Sequence, residues 1–164
     1  MDLLRIASHS NRAREALREF LAGRETLVTR PFETTSSFKT IAALLAHSAG
    51  AEERWLARAR GVDAGERLEA RIASSPLSVW TEWDRIRAVT MEFLGCSNDA
   101  RLDSEVEFEL AQWQTKGRLT TREVLFHVFN HENYHRGQIS MVLQQFGEDP
   151  PNFDYPLLMS GSAR

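Results

Sequence analysis

Residues 120–147 read TTREVLFHVFNHENYHRGQISMVLQQFG, and three of the chain's five histidines, His127, His131 and His135, lie within them. No proline interrupts the stretch. Thr120 is a favoured N-cap residue, and Glu123 three places on completes a capping box. Gly147 is placed to close the helix at C′, where a left-handed backbone suits glycine. At about 100° per residue, Val124, His127, His131, Tyr134, His135, Gln138 and Val142 fall on one side. Apolar residues mark the two ends of that side and polar groups fill its middle, whereas a core-facing stripe is ordinarily apolar throughout. The sequence thus departs from packing logic at one depth of a helical array, where a site would be built.

Helix geometry limits what the histidines can do. Residues four apart have Cβ atoms roughly 5–6 Å apart on one face, so their imidazoles can converge on one metal at about 2.0–2.1 Å from each nitrogen. Residues eight apart are separated by a rise of about 12 Å and cannot. His131 can share an ion with His135, or His127 with His131, but the three cannot all do so. Spacing alone does not choose the pair.

Composition sets outer limits. A chain of 164 residues is expected to form one domain with a real core. It is 42% hydrophobic and 26% charged, an ordinary globular balance. The net charge of −3 gives no support for a nucleic-acid or anionic-membrane surface. Cys96 is the only cysteine and cannot form an internal disulfide, which suits a reducing, cytoplasmic setting. The opening MDLLRIASHSNRAREAL carries charge where a secretory signal would be apolar. No apolar run approaches the ~20 residues of a membrane span.

Outward from the long helix, the periodicity predicts three more. The first runs from Asp2 to Ala22 on Leu3, Ile6, Ala13, Leu17, Phe20 and Leu21, with Gly23 at its end. Its His9 has no partner at ligand spacing and reads as a surface histidine. A second helix runs from Ser37 to Arg60, capped by Ser36 or Ser37 and ended by Gly61, with Ile41, Leu44, Ser48, Ala51 and Trp55 as its main face. His47 lies on the flank of that face. Arg54 and Arg58 follow on the same stripe and read as exposed charges, with anion binding beside the site as the alternative. A third helix starts at Ser75-Pro76 and runs to Leu94, burying Leu77, Trp80, Trp83, Ile86, Val89 or Thr90, and Phe93. Between Leu102 and Leu119, Val106, Phe108 and Leu110 alternate with Glu105, Glu107 and Glu109, the period of a half-buried strand. Residues 112–119 can close a small hairpin with it, an insert before the last helix. After Gly147 the prolines at 150 and 151 predict an extended tail that packs back through Phe153, Tyr155, Leu157 and Leu158.

The motif NHENYHRGQI, at 130–139, resembles the last-helix motif of the DinB/YfiT-like family of metalloenzymes. SFKTIAALLAHSAGAEERWLARARG, at 37–61, is similar to that family's second helix, with its lone histidine and following tryptophan. Ser10-Asn11-Arg12 and the DPPNFDY tail resemble the family as well, so the likeness covers nearly the whole chain in order. It implies an all-α fold, a four-helix bundle carrying the hairpin as an insert. It also implies a divalent metal held by one histidine of the second helix and two of the last. Carried over position by position, these are His47, His131 and His135, and His127 becomes a neighbour. The resemblance further implies a small-molecule substrate, in some relatives with a low-molecular-weight thiol, and a homodimer.

Three neutral imidazoles with an open position are the arrangement of a catalytic zinc-type site, and imidazole donors favour zinc or nickel over magnesium. Two readings stay open. One is a metal-dependent hydrolase or thiol-dependent transferase or isomerase; the other is a non-catalytic metal-binding stress-response bundle. Glu132 follows His131 and points about 100° away, so Gln138 and Tyr134 are the better candidates for orienting substrate or ligand. Gly137 is expected to admit a neighbouring helix. The large apolar residues Leu3, Leu4, Leu17, Phe20 and Leu21, with Trp80, Trp83, Ile86 and Phe93, exceed what one inward stripe needs, which favours the dimer.

Overall fold

The computed structural model describes residues 2–160 and is 67% helical. The elements run α1 (Leu3–Leu21), α2 (Glu25–Thr29), α3 (Ile41–Arg60), α4 (Leu68–Arg71), α5 (Val79–Cys96), α6 (Asp99–Leu102), β1 (Glu105–Leu110), β2 (Thr115–Thr120), α7 (Thr121–Gln145) and α8 (Tyr155–Met159). Among the described residues the four long helices are α1, α3, α5 and α7. α3 packs on α7 and α5, and α1 packs on the same two. None of the described helices is long and apolar enough to cross a membrane.

The ends of α7 form as its sequence directs. The Thr120 hydroxyl accepts from the Glu123 backbone, and the Glu123 carboxylate accepts in return from the Thr120 N–H at 2.7 Å. At the other end Gly147 turns left-handed at φ +85°. The Glu148 N–H then reaches the Leu143 carbonyl and the Gly147 N–H that of Gln144, which is the Schellman arrangement. Strands β1 and β2 pair antiparallel with Phe108 opposite Gly117. Val106 is buried, and the Phe108 ring meets Trp55 at 5.5 Å between centroids, so the insert covers one end of α3. A Cβ at Gly117 would stand 3.1 Å from the Phe108 ring.

Several boundaries and placements differ from expectation. α3 begins at Ile41 with Thr40 as its cap, not Ser36 or Ser37. The Ser36 hydroxyl instead accepts from the Phe38 N–H, and the Phe32 N–H donates to the Lys39 carbonyl, which folds 32–39 into a loop. The tail is not extended throughout. Pro150 and Pro151 do exclude helix at their own positions, but α8 forms beyond them, with Pro156 in its first turn, where a missing N–H costs nothing. Phe153 packs on the core and His9 Nε2 lies 2.9 Å from its carbonyl, while Leu157 stays exposed. Leu77 is exposed and Thr90, rather than Val89, is buried on α5. The residues that suggested an outer apolar face are covered within the chain. Leu3, Leu17, Leu21, Trp83 and Ile86 are buried and Phe20, Trp80 and Phe93 half-buried, leaving only Leu4 of that set exposed.

The core falls into two apolar clusters. One includes Leu17, Leu21, Ile41, Leu45, Val79, Ile139 and Leu143, the other Leu3, Ala7, Ala51, Trp55, Leu94, Leu125 and Phe129. Between them each long helix carries polar residues: Ser10 on α1, Glu52 on α3, Arg87 and Thr90 on α5, and Glu132, His135 and Arg136 on α7, all buried. The irregularity read in α7 is thus one edge of a polar layer that crosses the whole interior.

Candidate metal centre

α3 and α7 pack along each other more closely than any other two described helices, and His47 faces His131 and His135 across their contact. The ring of His47 lies 5.1 Å from that of His131 and 4.9 Å from that of His135. On α7 the four-residue spacing brings the Nε2 atoms of His131 and His135 to 3.2 Å. One donor nitrogen from each of the three rings lies within 4.8 Å of the others, so the group could hold a metal ion.

Neighbouring groups orient these rings. The His135 Nδ1–H donates to Gln138 Oε1 at 2.7 Å, which leaves Nε2 unprotonated and directed at His131. Gln138 in turn donates to the Tyr134 hydroxyl at 3.2 Å. His47 Nδ1 stands 3.6 Å from Glu69 Oε1, beyond hydrogen-bond range. Glu69 also pairs with Arg54 at 3.1 Å. Gly50 makes room for that pair, because a Cβ there would sit 3.0 Å from both side chains. The Phe38 ring closes one side, 4.4 Å from His47 and 6.0 Å from His135.

Burial disfavours protonation of His131, His135 and the neighbouring His127. His131 is driven down to about 3, first by burial and then by the fields of His135, His47, His127 and Arg54. Burial also lowers His135 against the upward pull of Gln138, and it lowers His127. Neutral rings with free lone pairs are what metal ligation requires. Burial would raise the Glu69 carboxyl, but His47, its own backbone and Arg54 outweigh it and hold it at about 2.

The remaining expected residues divide. His127 sits outside the group, 5.5 Å ring to ring from His131 and 4.9 Å from Trp55. His9 is far from it, against Tyr155. Arg58 lies over the Trp55 ring at 4.8 Å rather than free in solvent. Tyr134 is 62% exposed at the rim. Gly137 meets nothing within 4 Å of an added Cβ, so no other described helix approaches it.

Sequence reasoning missed Glu69 and Phe38, which come from short connecting segments whose position only the fold supplies. It also missed the buried charges, although a signal existed. In each long helix a buried polar residue interrupts an apolar stripe: Ser10 between Leu3, Ala7 and Leu17; Glu52 between Leu45 and Leu56; Arg87 between Trp83 and Leu94; Glu132 between Leu125 and Leu143.

A model of the DinB family matches residues 2–163, nearly the whole chain. No curated protein matches it.

Proposed function

The chain belongs to the DinB family, and on that premise we propose that it is a four-helix bundle holding one divalent transition ion, zinc or nickel, on His47, His131 and His135. On this reading it is a metal-dependent enzyme of the hydrolase or thiol-transferase type acting on a small molecule. The observation that carries the reading is the convergence of three imidazole donors from two helices within 4.8 Å. The donor set fits such an ion. Two nitrogens at ~2.0–2.1 Å from a tetrahedral ion stand about 3.3–3.4 Å apart, close to the 3.2 Å between His131 and His135. Three protein donors leave a fourth position for water or substrate, as in catalytic rather than structural zinc sites.

Bound there, the ion supplies a Lewis acid that makes water or a small thiol nucleophilic near neutral pH. The chain's own residues prepare the site. Gln138 fixes the His135 tautomer, and Glu69 stands behind His47 as the carboxylate behind a ligating histidine. A hollow of about 210 Å³ adjoins Gln138 and Phe38, lined also by Phe32, Glu33, Thr34, Ser36, Leu44 and Val142. It accepts the organic part of a small substrate, with Gln138, held by Tyr134, to orient it.

Elemental analysis after chelation and reloading tests the reading: about one zinc or nickel per chain is expected, and no retained transition metal ends it. Cobalt-loaded protein separates the two classes. A visible spectrum that shifts on adding a small thiol supports an open position. A metal-loaded protein whose spectrum ignores every added ligand favours the non-catalytic bundle instead.

A further inference from the structure

Arg87, on α5 and only 3% exposed, is the meeting point of all four long helices. Its Nε and Nη2 donate to Glu52 of α3 at 2.8 and 2.9 Å, Nη2 also donates to Glu132 of α7 at 2.6 Å, and Nη1 donates to Ser10 of α1 at 3.2 Å. Asn11, also on α1, accepts from Nη1 as well. Glu52 is completed by Trp83 Nε1 at 2.8 Å and Thr90 Oγ1 at 2.7 Å. Glu132 is completed by the Ser10 hydroxyl and by Arg136 Nη1 at 2.8 Å. Two carboxylates and two guanidiniums thus cancel inside the polar layer.

The register of this cluster is its telling property. Glu132 follows His131 and Arg136 follows His135, so the ion pair repeats the i, i+4 spacing of the two histidines one residue further on. Glu52 lies on α3 five places after His47. We infer that Arg87, with Glu52 and Glu132, is the positioning device of the three-histidine group, an inference that rests on reading that group as a metal site. Successive helical residues point about 100° apart. Clamping Glu132 and Arg136 toward the core therefore dictates where His131 and His135 point. Glu52 references α3 to the same guanidinium, so both histidine-bearing helices take their rotation from one rigid, planar fork. Stability alone does not explain the cluster, because buried ion pairs are often matched or bettered by apolar residues of equal volume. What apolar packing does not supply is a single directional setting.

The test compares three variants by circular dichroism, cobalt affinity and the cobalt visible spectrum. The first removes the charges together, Glu52→Gln, Arg87→Met and Glu132→Gln, leaving no orphaned ion. The second is Glu132→Gln alone, which keeps shape and an acceptor oxygen. The third, Ile86→Ala, is a control that weakens the same helix while keeping every side chain of the cluster and the Ile86 carbonyl that Thr90 meets. The charge-free variant is expected to fold, bind cobalt about 10–100-fold more weakly and give an altered spectrum, with Glu132→Gln intermediate. Ile86→Ala is expected to lower the melting temperature and leave affinity and spectrum unchanged. A folded charge-free variant with wild-type affinity and spectrum overturns the inference, as does an Ile86→Ala protein that shifts as much. If the charge-free variant fails to fold, Glu132→Gln decides alone. Imidazole ¹⁵N spectra of the metal-free proteins give an independent answer. The inference expects the close approach of the His131 and His135 Nε2 atoms to loosen in the variants, and its survival unchanged overturns it. Wild type that binds no cobalt sinks the metal reading by itself, and the metal-free spectra then still decide the positioning role.

Discussion

His131 is the most perturbed residue of the candidate centre, because it is half-buried and three other imidazoles crowd it. As a member of both possible i, i+4 pairs it is also the ligand that neither pair can lose. His131→Ala and His135→Ala are each expected to reduce metal affinity by more than the ~10–100-fold typical of losing an outer-shell partner, and His127→Ala by less than that. Metal titrations of the three variants check this. If His127→Ala proves as damaging as His135→Ala, either the ligand pair is the other one or His127 supports His131 as an outer partner. The depressed protonation of His131 also has a consequence for the metal-free fold. An unfolded histidine takes its proton near 6.5, the folded one only near 3. Between those values the unfolded chain binds the extra proton, so stability falls as pH is lowered from about 6.5 toward 3. Glu69, held at about 2 instead of 4.5, adds a loss in the same direction below about 4.5. Urea midpoints from pH 7 to 3 should decline, and His131→Gln should flatten the upper part of the curve. A wild-type midpoint constant between pH 6.5 and 4 would contradict the assignment.

At the scale of elements, α7 is a helix whose caps, length and polar middle follow from residues within it. Its one internal glycine is the exception. Gly137 lies in open space, with none of the described residues packed near an added Cβ, yet glycine inside a helix costs about 1 kcal/mol relative to alanine. Gly137→Ala is therefore expected to stabilise the fold by about that amount, read by urea unfolding at low protein concentration. A loss of stability would mean that the bare backbone there serves a contact. The start of α3 and the presence of α8 were less legible. Ser36, Ser37 and Thr40 are all acceptable caps, and the choice fell to Thr40 because the Phe32–Lys39 hydrogen bond commits the preceding segment to a loop. The tail prolines stop helix only where they stand, and Tyr155–Met159 beyond them were free to form α8.

For the whole molecule, the open question is what covers the exposed side of α7. Phe126 is 40%, Tyr134 62% and Met141 59% exposed, and at about 100° per residue they share one stripe with Gly137 between them. A second copy of this chain is the expected cover, since two-fold pairing is the commonest way to bury a repeated apolar face. Light scattering over a concentration series should give a mass twice 18.7 kDa. A mass that stays at the single-chain value rules the dimer out, and Met141→Glu should shift a real dimer toward it.

By itself the sequence determined the long helices and the hairpin, because periodicity and caps are local. The i, i+4 spacing likewise made His131 and His135 or His127 and His131 the possible pairs. Two things were decided only by tertiary structure. His47 sits on the flank of its helix, and nothing local says which helix that flank will face; packing of α3 on α7 brought it to the pair. Glu52, Arg87, Glu132 and Ser10 each look like a flaw in an apolar stripe. A buried charge is tolerable only when its partners arrive from other helices, so these four become one cluster only when the helices close at a common depth.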